Sequence, residues 1–221
     1  MVGRSQQIAV FDVCDTLFRT NTTVGFVRFL ADRTGNAAAS AVLRRWTSRR
    51  SPALYAGALA YRLLHRDIAR ARVIRTLRGY TREQLEAAAE DYFSTELASH
   101  MVEPVHERLR DHQRRGDRVI LASSSLDVVI SAVARGLGVE WVASELGYAD
   151  GQCTGRLVRD LTGRKPAALA PLLGDTPNLH VYTDNRSDRA LLQMADRCTI
   201  ILPAGSDGCR WAGEECDYLA V

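Results

Sequence analysis

The stretch QIAVFDVCDTL, residues 7–17, decides how the rest of the chain is read. Gln7 to Val13 is a short run of apolar and β-branched residues that breaks into polar ones, with Thr20, Asn21, Thr22 and Thr23 close behind. Such a run, bounded by turn formers, predicts a buried strand. The loop at its carboxyl end then carries Asp12, Cys14, Asp15 and Thr16.

Downstream the pattern turns helical. From Val24 to about Glu103, alanine, leucine and arginine dominate, with breaks at Thr34-Gly35, Ser51-Pro52 and Gly79-Tyr80-Thr81. Thr81 with Gln84 fits a capping box opening a helix over Arg82 to His100. Beyond Pro104 the sequence predicts a helix over Val105–Arg115, a strand over Arg118–Ala122, a helix over Leu126–Leu137 and a short strand over Val139–Ala143. A hairpin about Asp150-Gly151 follows, then a helix near Lys165–Leu173, a strand over Leu179–Thr183, a helix over Ser187–Met194 and a strand over Thr199–Leu202. Strands alternating with helices imply an α/β fold, a Rossmann-like parallel sheet with helices on both faces. An all-helical block is inserted after the first strand. The expected division is 1–20 plus 104–221 for the α/β core and 21–103 for the helical insert; the tail Ala204 to Val221 suggests no role.

Composition is that of an average soluble globular protein, 46% hydrophobic and 25% charged over 221 residues, which excludes disorder and collagen. Five cysteines form an odd, widely spaced set without a C-x-x-C pair, so neither a zinc knuckle nor a redox motif is expected, and a reducing cytosol is the expected setting. No apolar run of about 18 residues or basic-then-apolar leader is present, so no integral membrane segment or export signal is expected. Net charge is only +3, yet Arg19 to Arg82 holds fourteen arginines against Asp32 and Asp67. Lys165 is the only lysine in the chain. Lysine places a compact point charge on a flexible stem, suited to a single carboxylate or phosphate oxygen.

In an open parallel sheet, ligands bind outside the carboxyl ends of the strands. Those ends carry Asp12, Cys14, Asp15 and Thr16; Ser123, Ser124 and Ser125; and Asp184, Asn185, Ser187 and Asp188, with Lys165 between the last two clusters. Each piece alone has an ordinary structural reading, as a turn residue or helix cap. Together they suit an anionic substrate bound through a divalent cation, with the oxygen ligands that Mg²⁺ prefers. A carboxylate at the first strand's end could attack phosphorus and form an acyl phosphate, with Ser123 and Lys165 holding the phosphoryl oxygens.

These segments, FDVCDTL (11–17), VILASSS (119–125), GRK (163–165) and YTDNRSD (182–188), resemble the four motifs of the haloacid dehalogenase superfamily of aspartate-nucleophile phosphohydrolases. The likeness is to its phosphoserine-phosphatase-like branch, with a helical C1-type cap between the first and second motifs, and covers roughly Gln7 to Pro203. It implies a Mg²⁺-dependent phosphatase acting on a small phosphorylated metabolite. Asp12 would be the nucleophile, Ser123 the phosphate ligand, Lys165 the cation and Asp184 the metal carboxylate. Asp188 would support the metal directly or through water, the Cys14 carbonyl would be a further ligand, and Thr16, Ser124 and Asn185 would complete the substrate-binding set.

One position departs from the resembled pattern: where those phosphatases carry a second aspartate, this chain has Cys14. That aspartate serves as general acid and base, a role contributing about 10²- to 10⁴-fold in typical cases. Two substitutes are open: the Cys14 thiol, which could give a proton to an alkoxide but as a thiolate would repel phosphate, and Asp15, the next residue, if the loop bulges to point it inward; without either the protein would be a phosphotransferase or a catalytically impaired phospho-ligand binder. Dehalogenation is disfavoured, because Asp184 and Asp188 argue for a metal that it does not need. The insert carries Arg44, Arg45, Arg49, Arg50, Arg62, Arg66, Arg70, Arg72, Arg75 and Arg78, either a solvated helix face or an attraction for an anionic substrate or surface. Pro52 to Leu64, apolar between arginine clusters, fits either a core helix of the insert or an interfacial helix serving an amphiphilic or lipid-linked ester with peripheral membrane contact. No nucleic-acid partner is expected, and Trp46, Tyr55 and Tyr61 are assigned to packing.

Overall fold

The computed structural model describes residues 7–48, 50–53, 55–56, 67–174, 178–206, 208–211 and 215–221. Its centre is β1 (Gln7–Phe11), whose side chains alternate between two cores. Ala9 and Phe11 pack into one hydrophobic cluster with Leu121 and Tyr182, and Ile8 and Val10 into the other with Ile120, Val181 and Ile200. A strand buried on both faces needs apolar residues at every position, which is how IAVF reads.

Among the described residues, β1 is followed by the helices α1 (Thr22–Thr34), α2 (Ala37–Thr47), α3 (Ile68–Arg75) and α4 (Arg82–Thr95). Each opens on a side-chain cap, from Asn21, Asn36, Asp67 and Thr81, and the Thr81–Gln84 capping box is complete. The helix expected to reach His100 stops at Thr95 and continues as a 3₁₀ turn over Leu97–His100. Then come α5 (Glu103–Arg114), β2 (Arg118–Leu126), α6 (Asp127–Leu137), the antiparallel pair β3 (Glu140–Ala149) and β4 (Gln152–Arg159), α7 (Lys165–Leu173) and β5 (Asn178–Thr183). The chain closes with α8 (Arg189–Leu192), β6 (Arg197–Leu202) and β7 (Asp217–Ala220).

The sheet order is β4-β3-β2-β1-β5-β6-β7, parallel except for β4. The chain therefore leaves β1 toward β2 on one side and β5 on the other, which makes the carboxyl end of β1 the switch point where a crevice opens. The β3–β4 hairpin turns at Asp150 and Gly151, both with positive φ, as a tight two-residue turn demands. The inserted helices rest on this hairpin. A Cβ on Gly155 would lie 2.9 Å from the Arg75 carbonyl oxygen, so only glycine lets β4 approach α3 so closely.

Several boundaries differ from expectation. β2 runs on to Leu126 and β3 to Ala149. The helix expected over Ser187–Met194 is a 3₁₀ turn (Arg186–Asp188) leading into the four-residue α8. The tail adds β7 to the sheet edge, and a disulfide joins Cys198 to Cys216, a pairing the odd cysteine count gave no reason to expect. Among the described residues no helix is long and apolar enough to cross a membrane. Arg49, Arg62, Arg66, Tyr61 and most of the apolar stretch Pro52–Leu64 lie outside the described residues, and the amphiphilic-ester reading lies there with them.

Candidate functional site

Asp12 follows β1 directly and is held in place by its neighbours. Its backbone N–H donates to the Tyr182 carbonyl at 2.9 Å, and its Oδ1 accepts from the Val13 N–H at 2.8 Å. Lys165, the first residue of α7, places its Nζ 2.8 Å from the same Oδ1 and 2.7 Å from Asp188 Oδ2. All three side chains are buried. Asp188 Oδ2 also accepts from the Thr183 hydroxyl at 2.8 Å, whereas Asp188 Oδ1 is buried without a hydrogen-bond partner.

Asp184 stands on the other side. Its carboxylate accepts from the Thr16 hydroxyl at 3.0 Å, and its backbone N–H donates to that hydroxyl at 3.0 Å, so one threonine ties the β1 loop to the β5 loop. Burial and the nearby Asp12 charge push the Asp184 carboxyl up to about 7. Burial also lifts Asp12, with Lys165 opposing and Asp188 adding to the rise. Burial works against the Lys165 ammonium, but Asp12 and Asp188 outweigh it and keep it charged.

Cys14 is tied to Thr22. Its Sγ lies 3.1 Å from Thr22 Oγ1 at the start of α1, and burial followed by the Asp12 charge pushes its thiol up to about 11. Asp15 is exposed, has a φ of 56°, and lines a cavity of about 480 Å³. Cys14, Ser124, Ser125, Asp184 and Asn185 share that lining. The inserted helices contribute Trp46, Asp67, Arg70 and Val73 to its far wall. The three strand ends named from the sequence thus meet at one place, with one difference inside the serine run. Ser123 is buried with its hydroxyl accepting from the Ser125 N–H at 3.1 Å, while Ser124 and Ser125 reach the cavity.

Three supports were invisible in the sequence. Ser125 Oγ accepts from the Thr22 hydroxyl at 2.7 Å and lies 3.0 Å from that of Thr23, so the amino end of α1 braces the serine turn. The polar run after β1 was a signal for a loop, not for this contact. Thr183 orders Asp188. Arg70, one among many arginines in the insert, donates to the Ser124 carbonyl, to Asp160 at 2.9 Å, to Thr162 Oγ1 at 3.0 Å and to Ser144 Oγ at 3.2 Å.

No group of three His, Cys, Asp or Glu side chains among the described residues is arranged to hold a metal. The donor set around the β1 loop nevertheless has the chemistry a hard cation takes: a buried carboxylate, Asp12, and a half-buried one, Asp184.

A family model described as haloacid dehalogenase-like hydrolase matches residues 9–193, a span that holds every one of these groups. The chain belongs to that family. Among solved structures, a protein of unknown function from Bordetella pertussis Tohama I is 23% identical, with 98% of this chain and 99% of that one covered at a TM-score of 0.76. A substrate-bound phosphoserine phosphatase complex is 14% identical over 97% and 93%, TM-score 0.61. Cytosolic 5′-nucleotidase IIIB bound to cytidine is 13% identical over 97% and 80%, TM-score 0.64. At these identities the likeness is one of fold. No curated protein matches. The chain is thus a haloacid dehalogenase-like hydrolase whose structural neighbours include phosphatases.

Proposed function

We propose that this hydrolase is a phosphatase of small phosphomonoesters and that Asp12 is its nucleophile. The observation that carries the reading is the buried Asp12–Lys165–Asp188 arrangement at the switch point, with both short contacts to Asp12 falling on Oδ1. Oδ2 is left as the oxygen that attacks phosphorus. Lys165, anchored by Asp188, fixes the carboxylate and offsets the charge of the incoming phosphoryl group; the Ser124–Ser125 turn supplies hydrogen bonds to its oxygens. Asp12, Asp184 and the Cys14 carbonyl would hold Mg²⁺, which neutralises charge on the phosphoryl oxygens when bound.

Attack by Oδ2 forms an acyl phosphate as the ester P–O bond breaks, and the departing alkoxide takes a proton. We assign that proton to Asp15, on the cavity wall, because the Cys14 thiol on the same wall is engaged by the Thr22 hydroxyl and burial holds it above the usual thiol range. Water then attacks phosphorus, Asp15 takes the water's proton, and phosphate leaves Asp12 free. Residues 21–103 are read as a cap that closes over a core of 1–20 and 104–221 and contributes Trp46 and Arg70 to the substrate's surroundings.

The test is release of phosphate from a panel of phosphorylated metabolites with Mg²⁺ present and absent. Asp12→Asn should abolish turnover with the fold intact, and Asp15→Asn should lower it about 10²-fold or more. Full activity in Asp12→Asn would overturn the reading. A large gain in Cys14→Asp from a nearly inactive wild type would favour the impaired, phospho-ligand-binding alternative.

A further inference from the structure

At the opposite pole, by the amino ends of β1, β6 and β7, lies a second cavity of about 550 Å³. Its floor is the sheet face carrying His180, Tyr182 and Thr199, and its rim includes Arg108 from the middle of α5, Arg115 at its C-cap and Arg197 from β6. This face is polar where the same face of β1 presents Ala9 and Phe11 to the core. Thr199 Oγ1 lies 2.9 Å from His180 Nε2, His180 Nδ1 lies 3.2 Å from Tyr182 Oη, Tyr182 Oη lies 2.9 Å from His112 Nε2, and His112 Nδ1 lies 2.8 Å from Asp117. Arg115 Nη2 also lies 2.8 Å from His112 Nδ1, so the end of this polar row is shared with a rim arginine.

The rim charges are unevenly compensated. Asp111 pairs with Arg114, Asp117 with Arg115 and His112, and Asp217 with Arg197 at 2.9 Å. Arg108 enters no ion pair among the described residues. The Arg197–Asp217 pair is more than half exposed on both sides, the kind worth little, so Arg197 can turn to another anion at small cost. The fields of Arg108, Arg115 and Arg197 all act on the Tyr182 hydroxyl, opposing the upward push of burial.

We propose that this cavity is a second ligand site, separate from the Asp12 crevice, that binds a small multiply charged anion through Arg108 and Arg197. The chemistry fits either a polycarboxylate or a phosphate, and a cavity of this size is within the range of small-molecule sites. Arg108 and Arg197 are exposed and take no part in the proposed hydrolysis, so their loss leaves the fold and the phosphatase reading testable on their own.

The experiment is calorimetric titration of the full chain with citrate and, separately, with inorganic phosphate at low salt. It uses wild type, Arg108→Ala, Arg197→Ala and the Asp12→Asn variant. Binding of at least one anion that weakens tenfold or more in each arginine variant, yet persists in Asp12→Asn, is the expected result. Heat from neither anion, or binding indifferent to both arginines, overturns the proposal. So does a wild-type dimer that binds no anion and that Arg108→Glu dissociates, since the face would then belong to a second copy.

Discussion

Lys165→Met isolates the electrostatics on which the site depends. The ammonium bridges Asp12 Oδ1 at 2.8 Å and Asp188 Oδ2 at 2.7 Å, so those oxygens are at most about 5.5 Å apart. At an effective dielectric constant of about 20, two unit charges at that distance repel by about 3 kcal/mol. This agrees with the roughly 3–5 kcal/mol lost when one partner of a buried ion pair is removed. Methionine matches the lysine stem, so the packing among α7 and its neighbours is retained. Urea denaturation should show the midpoint falling by about 1.5 M, taking a slope of roughly 2 kcal/mol per M. Without the ammonium, burial and the Asp188 charge lift the Asp12 carboxyl further above its unfolded value, so the deficit grows as pH rises and shrinks toward pH 5. Adding Asp188→Asn to Lys165→Met should recover part of the loss, because one of the two repelling charges is gone. A Lys165→Met midpoint within about 0.3 M of wild type at pH 8, or a double variant weaker than the sum of its parts, would refute the reasoning.

Arg70→Ala removes the tie between the insert and the loops carrying Ser124 and Thr162. Displacing catalytic groups by an ångström lowers turnover by about 10²-fold, so steady-state kinetics should show kcat falling; an effect on KM alone would contradict this role. His180 is buried, and burial, with His112 and Arg197 behind it, pushes its pKa down to about 3. The neutral form is the folded one, so its stabilisation is complete above pH 6.5 and is lost as pH falls from there toward 3, by up to about 5 kcal/mol. In His180→Gln the slope of stability against pH between 6 and 4 should fall by about 1.4 kcal/mol per pH unit, and an unchanged slope by chemical denaturation would count against it. The Cys198–Cys216 bridge closes an 18-residue separation, and Cys216→Ser should cost about 3 kcal/mol, a loss that reducing agent reproduces in wild type but not in the variant.

The strand ends were legible because each depends on a short local pattern. IAVF and VILA have the uninterrupted apolar run of a strand buried on both faces, and an acidic or hydroxyl residue closes each one. Lys165 stood out because the chain writes arginine everywhere else. What stayed hidden was set by contacts across the fold. Thr16 meets Asp184 from 168 positions away, and Ser125 meets Thr22 from 103. No local pattern marks Arg70, identical in type to its neighbours, as the arginine that reaches Asp160. The short α8 was overestimated because the Asn185 side chain caps a 3₁₀ turn over Arg186–Asp188 that a helical reading of apolar spacing cannot see. β7 escaped because a four-residue edge strand of mixed polarity, DYLA, carries too little alternation to stand out.

The central claim is that Asp12 receives the phosphoryl group. It is tested most directly by mixing the enzyme with a turned-over phosphomonoester and Mg²⁺, quenching in acid and reducing with borohydride, which converts an aspartyl phosphate to homoserine. Peptide mass spectrometry should find the change at Asp12 and nowhere else, and should find none when substrate is withheld. Turnover with an unaltered Asp12 peptide, or with the modification on Asp15 or Asp184, would contradict the account.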